Sequence, residues 1–290
     1  MLATLASIAR VHIIAIGAMG TLTFAYALCG TRPWLLALVC ASDWFVVNLL
    51  NRVVDLKEDA ANEINGTELV AKHKRAVLVV GFGTLVASLV VTWWLVPALL
   101  PYRVAFHALG FAYNWRLLPT PWGRVRIKEL AFWKNTASAT GFMLTVFCYP
   151  LATQARLASV SLETIAWSAA FFFLFELSYE VLYDLRDVDG DRIANVRTWP
   201  VILGPRGGFL VAVALMLASF IVVVSGYAMN ALPWRIAIMG AAPLVQLAIA
   251  WRMVKRGITS RDCIAVTWLG TALLGGWHAW EFLGLPGAGP

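Results

Sequence analysis

Asn51-Arg52-Val53-Val54-Asp55-Leu56-Lys57-Glu58-Asp59 closes one long apolar segment, and Asp184-Leu185-Arg186-Asp187-Val188-Asp189-Gly190-Asp191 closes another. On a helix, Asn51, Asp55 and Asp59 stand at i, i+4 and i+8 and share a face. Asp184, Asp187 and Asp191 stand at i, i+3 and i+7, again on one face. Acidic faces of this kind at helix ends point to hard divalent cations, because Mg²⁺ takes oxygen ligands from a few carboxylates and completes its shell with phosphate oxygens. Two such faces opposed across a cavity would grip a diphosphate through its metals. A single acidic run is more often a solvated loop. The helical spacing in both and their position on one side of the chain argue against that reading for the pair.

Outward from these stretches the chain is apolar. Of its 290 residues 60% are hydrophobic and 13% charged, and the mean hydropathy is +0.75. A soluble domain carries roughly 25% charged residues. Nine apolar segments are long enough to be candidate membrane spans, at 8–29, 34–50, 76–96, 98–115, 130–151, 161–183, 207–229, 232–251 and 263–284. The expected fold class is therefore all-α integral membrane. It forms a single polytopic domain over 1–290, with the acidic motifs in loops at 51–75 and 184–206. With the N-terminus in the cytoplasm, nineteen of the 23 Lys and Arg fall on the cytoplasmic side. Only Arg32, Arg103, Arg156 and Arg235 fall opposite. This bias places the N-terminus and both acidic motifs in the cytoplasm. The net charge of +7 is then a topology signal, and no nucleic-acid partner is expected.

The four cysteines are scattered and read as small buried hydrophobes. The four histidines lack metal-ligand spacing. Most tryptophans, Trp122 among them, read as an interfacial belt. Asp43, Glu176 and Glu180 fall within spans, where acids are costly. Each reads first as an ion pair with a neighbouring helix, and Glu180 also as a group able to position or deprotonate an acceptor. The halves look loosely two-fold, with Asp59 and Asp191 132 residues apart, but no residue-level repeat is visible.

The paired motifs resemble those of the UbiA superfamily of intramembrane prenyltransferases. Asn51, Asp55 and Asp59 match its first motif; Asp187 and Asp191 match its second. Residues Arg197-Thr198-Trp199-Pro200 resemble a later Thr-x-Pro. The resemblance implies about nine transmembrane helices around a central cavity. It also implies a Mg²⁺-dependent transfer of a prenyl group from an isoprenoid diphosphate to an acceptor, expected to be an aromatic or quinone-precursor ring. Metal ligands would be Asn51, Asp55, Asp59, Asp184, Asp187 and Asp191. The same Asp55, Asp59, Asp187 and Asp191 would serve ionisation, with Tyr113 shielding or orienting the allylic cation. Arg116, Lys128, Lys134 and Arg197 would bind the diphosphate. Partners would be the prenyl diphosphate, a lipophilic or aromatic acceptor and membrane lipids. Three features depart from the family pattern. Arg52 stands where Asp is usual, Lys72-His73-Lys74-Arg75 where Arg-Pro is, and Asn195 where Gly is. A membrane terpene cyclase using the same ionising site is the first alternative. A non-enzymatic cation transporter is the second, disfavoured because its acids would lie near mid-membrane.

Overall fold

The computed structural model describes residues 2–121, 123–153 and 160–286. Trp122 and Arg156 lie outside them. A short helix α1 (Leu2–Ala9) precedes α2 (Val11–Cys29), with Arg10 at φ 50° turning the chain between them. Then come α3 (Trp34–Val54), α4 (Leu56–Ala61), α5 (Thr67–Lys72), α6 (Lys74–Leu95) and α7 (Leu100–Asn114). A small antiparallel hairpin, β1 (Leu118–Thr120) with β2 (Gly123–Val125), is the departure from an all-helical chain. The second half holds α8 (Trp133–Met143), α9 (Tyr149–Thr153), α10 (Leu162–Arg186), α11 (Val188–Ile193), α12 (Trp199–Ala228), α13 (Trp234–Ala237), α14 (Ala241–Arg256) and α15 (Ser260–Phe282).

Among the described residues, six helical stretches are long and apolar enough to cross a membrane: 11–29, 34–54, 74–95, 162–186, 199–228 and 234–256. The other three expected spans coincide with the helices at 100–114, 133–153 and 260–282. The first is short. The second passes through a π turn at Leu144–Cys148. Large apolar side chains face outward on α6, with Val79 72% and Trp94 79% exposed, as suits a helix whose solvent is lipid. Inside, Phe24, Trp44, Phe142, Phe147, Phe171 and Trp277 form the main core.

The interior acid Asp43 is an ion pair, as expected. It accepts from Arg103 Nε at 2.9 Å and from Tyr149 Oη at 2.7 Å, and His107 Nε2 lies 2.8 Å away. Arg103 also donates to the Ser88 carbonyl at 2.7 Å and to Thr92 Oγ1 at 2.5 Å. Every partner is held inside the bundle, so one buried cluster ties α3, α6, α7 and α9 together. Removing one partner of such a pair leaves a buried charge without its counter-ion.

A structural repeat appears at the motifs. Helix α3 stops at Asp55 (φ −95°, ψ 22°) and α10 stops at Asp187 (φ −95°, ψ 9°), each followed by a six-residue helix. Asp59 N–H bonds the Asp55 carbonyl and Asp191 N–H the Asp187 carbonyl, both at 2.8 Å. Glu63 (φ 50°) and Asn195 (φ 55°) then close each unit in the left-handed region. Ile64 N–H returns to the Asp59 carbonyl and Val196 N–H to the Asp191 carbonyl. Asn enters the left-handed region more readily than most residues, which accounts for Asn195 standing in place of Gly.

Candidate active site

The two units meet at one end of the bundle. Gly190 N–H donates to Asn62 Oδ1 at 3.1 Å, and a Cβ at Gly190 would lie 2.3 Å from Asn62 Nδ2. With no side chain, Gly190 leaves room for the Asn62 amide at the junction of the two units. Behind this junction lies a cavity of about 1050 Å³, lined by Asn51, Asp55, Asp59, Asp184, Asp187, Asp191, Tyr113, Lys128 and Lys134 among others. The expected acidic faces, the tyrosine and two of the expected cations are therefore in one space.

Each carboxylate already has a cation. Lys128 Nζ lies 2.6 Å from both Asp55 and Glu58. Lys134 Nζ lies 2.8 Å from Asp184 and 2.9 Å from Asp191. Arg126 reaches Asp55 at 3.3 Å and Glu58 at 3.2 Å. Arg186 pairs with its neighbour Asp187. Lys128, between the hairpin and α8, and Lys134, in the first turn of α8, stand six residues apart, so one stretch of chain clamps both motifs. Its fold is local: Glu129 accepts from Arg126 N–H at 3.1 Å and Arg126 Nε at 2.8 Å. Asparagines hold the helices in register. Asn51 Nδ2 donates to Asp55 and to Asn114 Oδ1, each at 2.6 Å, and Asn135 Nδ2 donates to Asp184 at 2.8 Å.

Arg52 explains itself by its surroundings. It is wholly buried, pairs with Asp59 and donates to the Asn65 carbonyl at 2.7 Å. It thus binds Asp59 to the loop that follows α4. Arg10 approaches the other Asp59 oxygen at 3.9 Å. Arg52 Nε has no hydrogen-bond partner among the described residues.

Electrostatics differ between the motifs. Burial raises Asp59, against the pull of Arg10 and Arg52. Burial and the Asp55 charge raise Glu58, against Lys128. Burial pushes Asp191 up to about 6 despite Lys134. Burial also acts on Asp187, but the Arg186 guanidinium outweighs it and holds that carboxyl below its usual value.

Two expected cations are not brought in. Arg116 is 68% exposed and pairs with Glu129 at 3.2 Å. Trp115, which ends α7 in an extended conformation, turns the chain away there. Arg197 is exposed in the turn before α12. Arg10, Arg126 and Arg186 stand among the motifs instead. The i, i+3 pairing of Arg126 with Glu129 was visible in the sequence. The fold-back that carries it to Asp55 was not. Glu176 and Glu180, expected as ion pairs, have no cationic partner within salt-bridge distance among the described residues; Glu180 accepts from Ser138 at 2.7 Å.

The donor set fits Mg²⁺ by chemistry, being oxygen from carboxylate and amide. Among the described residues no three His, Cys, Asp or Glu side chains converge into a ready cage.

The chain is similar to known proteins at three levels. The model of the UbiA prenyltransferase family matches residues 15–270. A protein of Oryza sativa subsp. japonica described as probable homogentisate phytyltransferase 2 is 27% identical over 201 residues, covering 66% of this chain and 49% of that protein. The digeranylgeranylglyceryl phosphate synthase of Pyrococcus furiosus is 26% identical over 141 residues, covering 48% of this chain and 42% of the synthase. The chain thus spans about half the length of these relatives or less. Among solved structures, a UbiA homologue from Archaeoglobus fulgidus bound to GPP and Mg²⁺ superposes with a TM-score of 0.71 at 13% identity, over 94% of this chain and 97% of that one. The apo UbiA homologue of Aeropyrum pernix K1 gives 0.62 at 15% identity, over 94% and 98%. With a nearly all-helical bundle, paired acidic units on one cavity and a family match over most of its length, this chain belongs to the UbiA prenyltransferase family.

Proposed function

We propose that the protein is an intramembrane prenyltransferase that ionises an isoprenoid diphosphate with Mg²⁺ and passes the prenyl group to an acceptor. The observation that carries this reading is the cavity. Its rim brings Asp55, Asp59, Asp184, Asp187 and Asp191 together with Lys128 and Lys134. It adjoins an apolar pocket of about 380 Å³ lined by Phe24, Phe172 and Trp277, among others. The two share Ile16, Phe142, Glu176 and Tyr179. The charged end suits a diphosphate and the apolar extension suits hydrocarbon. One relative named above is a probable phytyltransferase by name, and a structural neighbour holds GPP with Mg²⁺.

Asn51, Asp55, Asp184, Asp187 and Asp191 would hold the metal, which when bound neutralises the leaving diphosphate. Lys128 and Lys134 move from carboxylate to phosphate oxygens and stabilise charge as the C–O bond breaks with its electron pair leaving on the diphosphate. Tyr113 lines the cavity and offers its ring face to the allylic cation. The acceptor then bonds to the allylic carbon and loses a proton. The excess of Lys and Arg on this side supports a cytoplasmic orientation for this end of the bundle.

Diphosphate release by protein in nanodiscs tests the reading. Donors of several chain lengths are supplied, with Mg²⁺ or chelator and with an acceptor panel. Release that needs Mg²⁺ and falls at least a hundredfold in both Asp55→Ala and Asp187→Ala is expected. Folded protein that releases none with any donor and acceptor overturns it. A hydrocarbon product formed without acceptor would assign the site to a cyclase instead.

A further inference from the structure

In the proposed transfer the acceptor loses a proton, and some group must take it. Most side chains on the polar cavity are already occupied. The motif carboxylates are held by cations and stand where the metal would bind. The lysines and arginines have no lone pair to offer. Glu176 and Glu180 have no cation within ion-pair distance among the described residues, and a carboxyl buried in that way keeps its own proton. Glu63 is exposed in the turn beyond α4. The hydroxyls and amides, Tyr113 among them, are not bases at neutral pH.

His12 is the exception. It stands in the first turn of α2, lines the polar cavity and is 9% exposed. Its ring has no hydrogen-bond partner among the described residues, although buried polar groups are nearly always paired. A neutral imidazole carries one accepting nitrogen. Helix geometry sets where that nitrogen sits. On α2, Phe24, Gly20, Ile16 and His12 are four residues apart and run from the apolar pocket to the polar cavity. On α10, Phe172, Glu176, Glu180 and Asp184 do the same in the opposite chain direction. The Phe24 and Phe172 rings lie 5.2 Å apart. About three turns from that contact, ~18 Å along each helix, stand His12 and Asp184. The imidazole is therefore level with the metal carboxylates, where the allylic carbon parts from its diphosphate, while the hydrocarbon lies along Gly20 and Phe24. The cationic charges that reach the ring are those of Arg10 and Arg186. These pair with Asp59 and Asp187, one from each motif.

We propose that His12 is the general base of the transfer, taking the proton that the acceptor releases as it bonds to the allylic carbon. This rests on the transferase reading. The C–O bond breaks with its electron pair on the diphosphate, and a pair from the acceptor forms the new bond to carbon. The acceptor keeps the electrons of its O–H or C–H bond as the proton moves to the imidazole nitrogen. The imidazolium then gives the proton to the departing diphosphate or to water. The bonded acceptor is a cation before it loses the proton, so the base needs an open lone pair in the right place more than strength.

Prenylation by the full-length protein in nanodiscs tests it, with geranyl diphosphate, Mg²⁺ and the acceptor of the panel that wild-type protein uses fastest. Diphosphate, prenylated acceptor and prenyl alcohol are measured together. In His12→Gln, prenylated acceptor should form about a hundredfold more slowly, and its ratio to diphosphate released should fall about tenfold or more as water captures the cation. His12→Ala should behave alike, and added imidazole, entering the space left by the ring, should restore prenylation severalfold. A histidine with only a structural role would lower release and transfer together, leave the ratio unchanged and give no response to imidazole, and that result overturns the proposal. So does a His12→Gln protein that prenylates as wild type does, which would leave the proton to the diphosphate itself. Wild-type protein that forms no acceptor-dependent product overturns the transferase reading and the base with it.

Discussion

Arg52 and Asp59 are a buried pair whose loss on one side differs from its loss on both. Arg52 is wholly buried and Asp59 is 6% exposed. Arg52→Met should destabilise the protein by about 3–5 kcal/mol, because it strands Asp59 in a low-dielectric site. Adding Asp59→Leu should recover much of that stability, read as thermal unfolding in detergent, while leaving diphosphate release low. Had Arg52 been a surface cation, neither change would move the unfolding curve. Asp191 gives a pH signature. Its carboxyl is raised to about 6, above the ordinary value. Its contribution to stability is therefore present at low pH and lost as pH rises through about 6. Metal-free protein should accordingly unfold at a higher temperature at pH 5 than at pH 7.5 as far as this group is concerned. Mn²⁺ affinity, read by EPR, should rise over the same window as the proton leaves. The identities of Asp55, Asp59, Asp187 and Asp191 were legible because helical spacing marks them. The partnership of Arg126 was not, since pairing across 68 to 71 residues with the first motif leaves no periodic trace.

At the scale of elements, the two motif units touch at Gly190 and Asn62. Gly190→Ala would drive a methyl group into the Asn62 amide, which stands 2.3 Å from that position, and break the 3.1 Å bond to Gly190 N–H. A loss of about 1–2 kcal/mol is expected, with a fall in diphosphate release. Asn62→Ala in the same chain should relieve the clash, so the two changes should be non-additive. The long helices were readable because their apolar length is dictated by the bilayer. The breaks at Asp55 and Asp187 were not, because i, i+4 spacing runs unbroken through them, and only the backbone shows a helix ending and restarting. Helix α12 is broken at Gly204, so its spanning part resumes at Pro205, two residues before the expected span, and a short helical stretch from Trp199 precedes it. A turn at Gly204 (φ 74°) and Pro205 lets helical structure start before the apolar run does. The stretch from the hairpin into the first turn of α8 carries no hydrophobic period; its Lys128 and Lys134 were expected at the diphosphate, but their present pairing with the two acidic motifs left no trace in the sequence.

For the whole molecule, the Asp43 cluster sets how firmly the bundle is held. Asp43→Asn leaves Arg103 buried without its counter-ion and should cost about 3–5 kcal/mol, seen as a lower unfolding temperature. Because the cluster does not line either cavity, substrate preference should be unchanged in whatever protein remains folded. The clamp of Lys128 and Lys134 has a consequence for how substrate arrives. Asp55, Glu58, Asp59, Asp184, Asp187 and Asp191 stand against Arg10, Arg52, Arg126, Lys128, Lys134 and Arg186. Charges matched at contact distance cancel within a Debye length. The vestibule should thus exert little long-range pull on a diphosphate, and capture should depend only weakly on ionic strength, set by diffusion within the lipid plane and by how often the lysines let go.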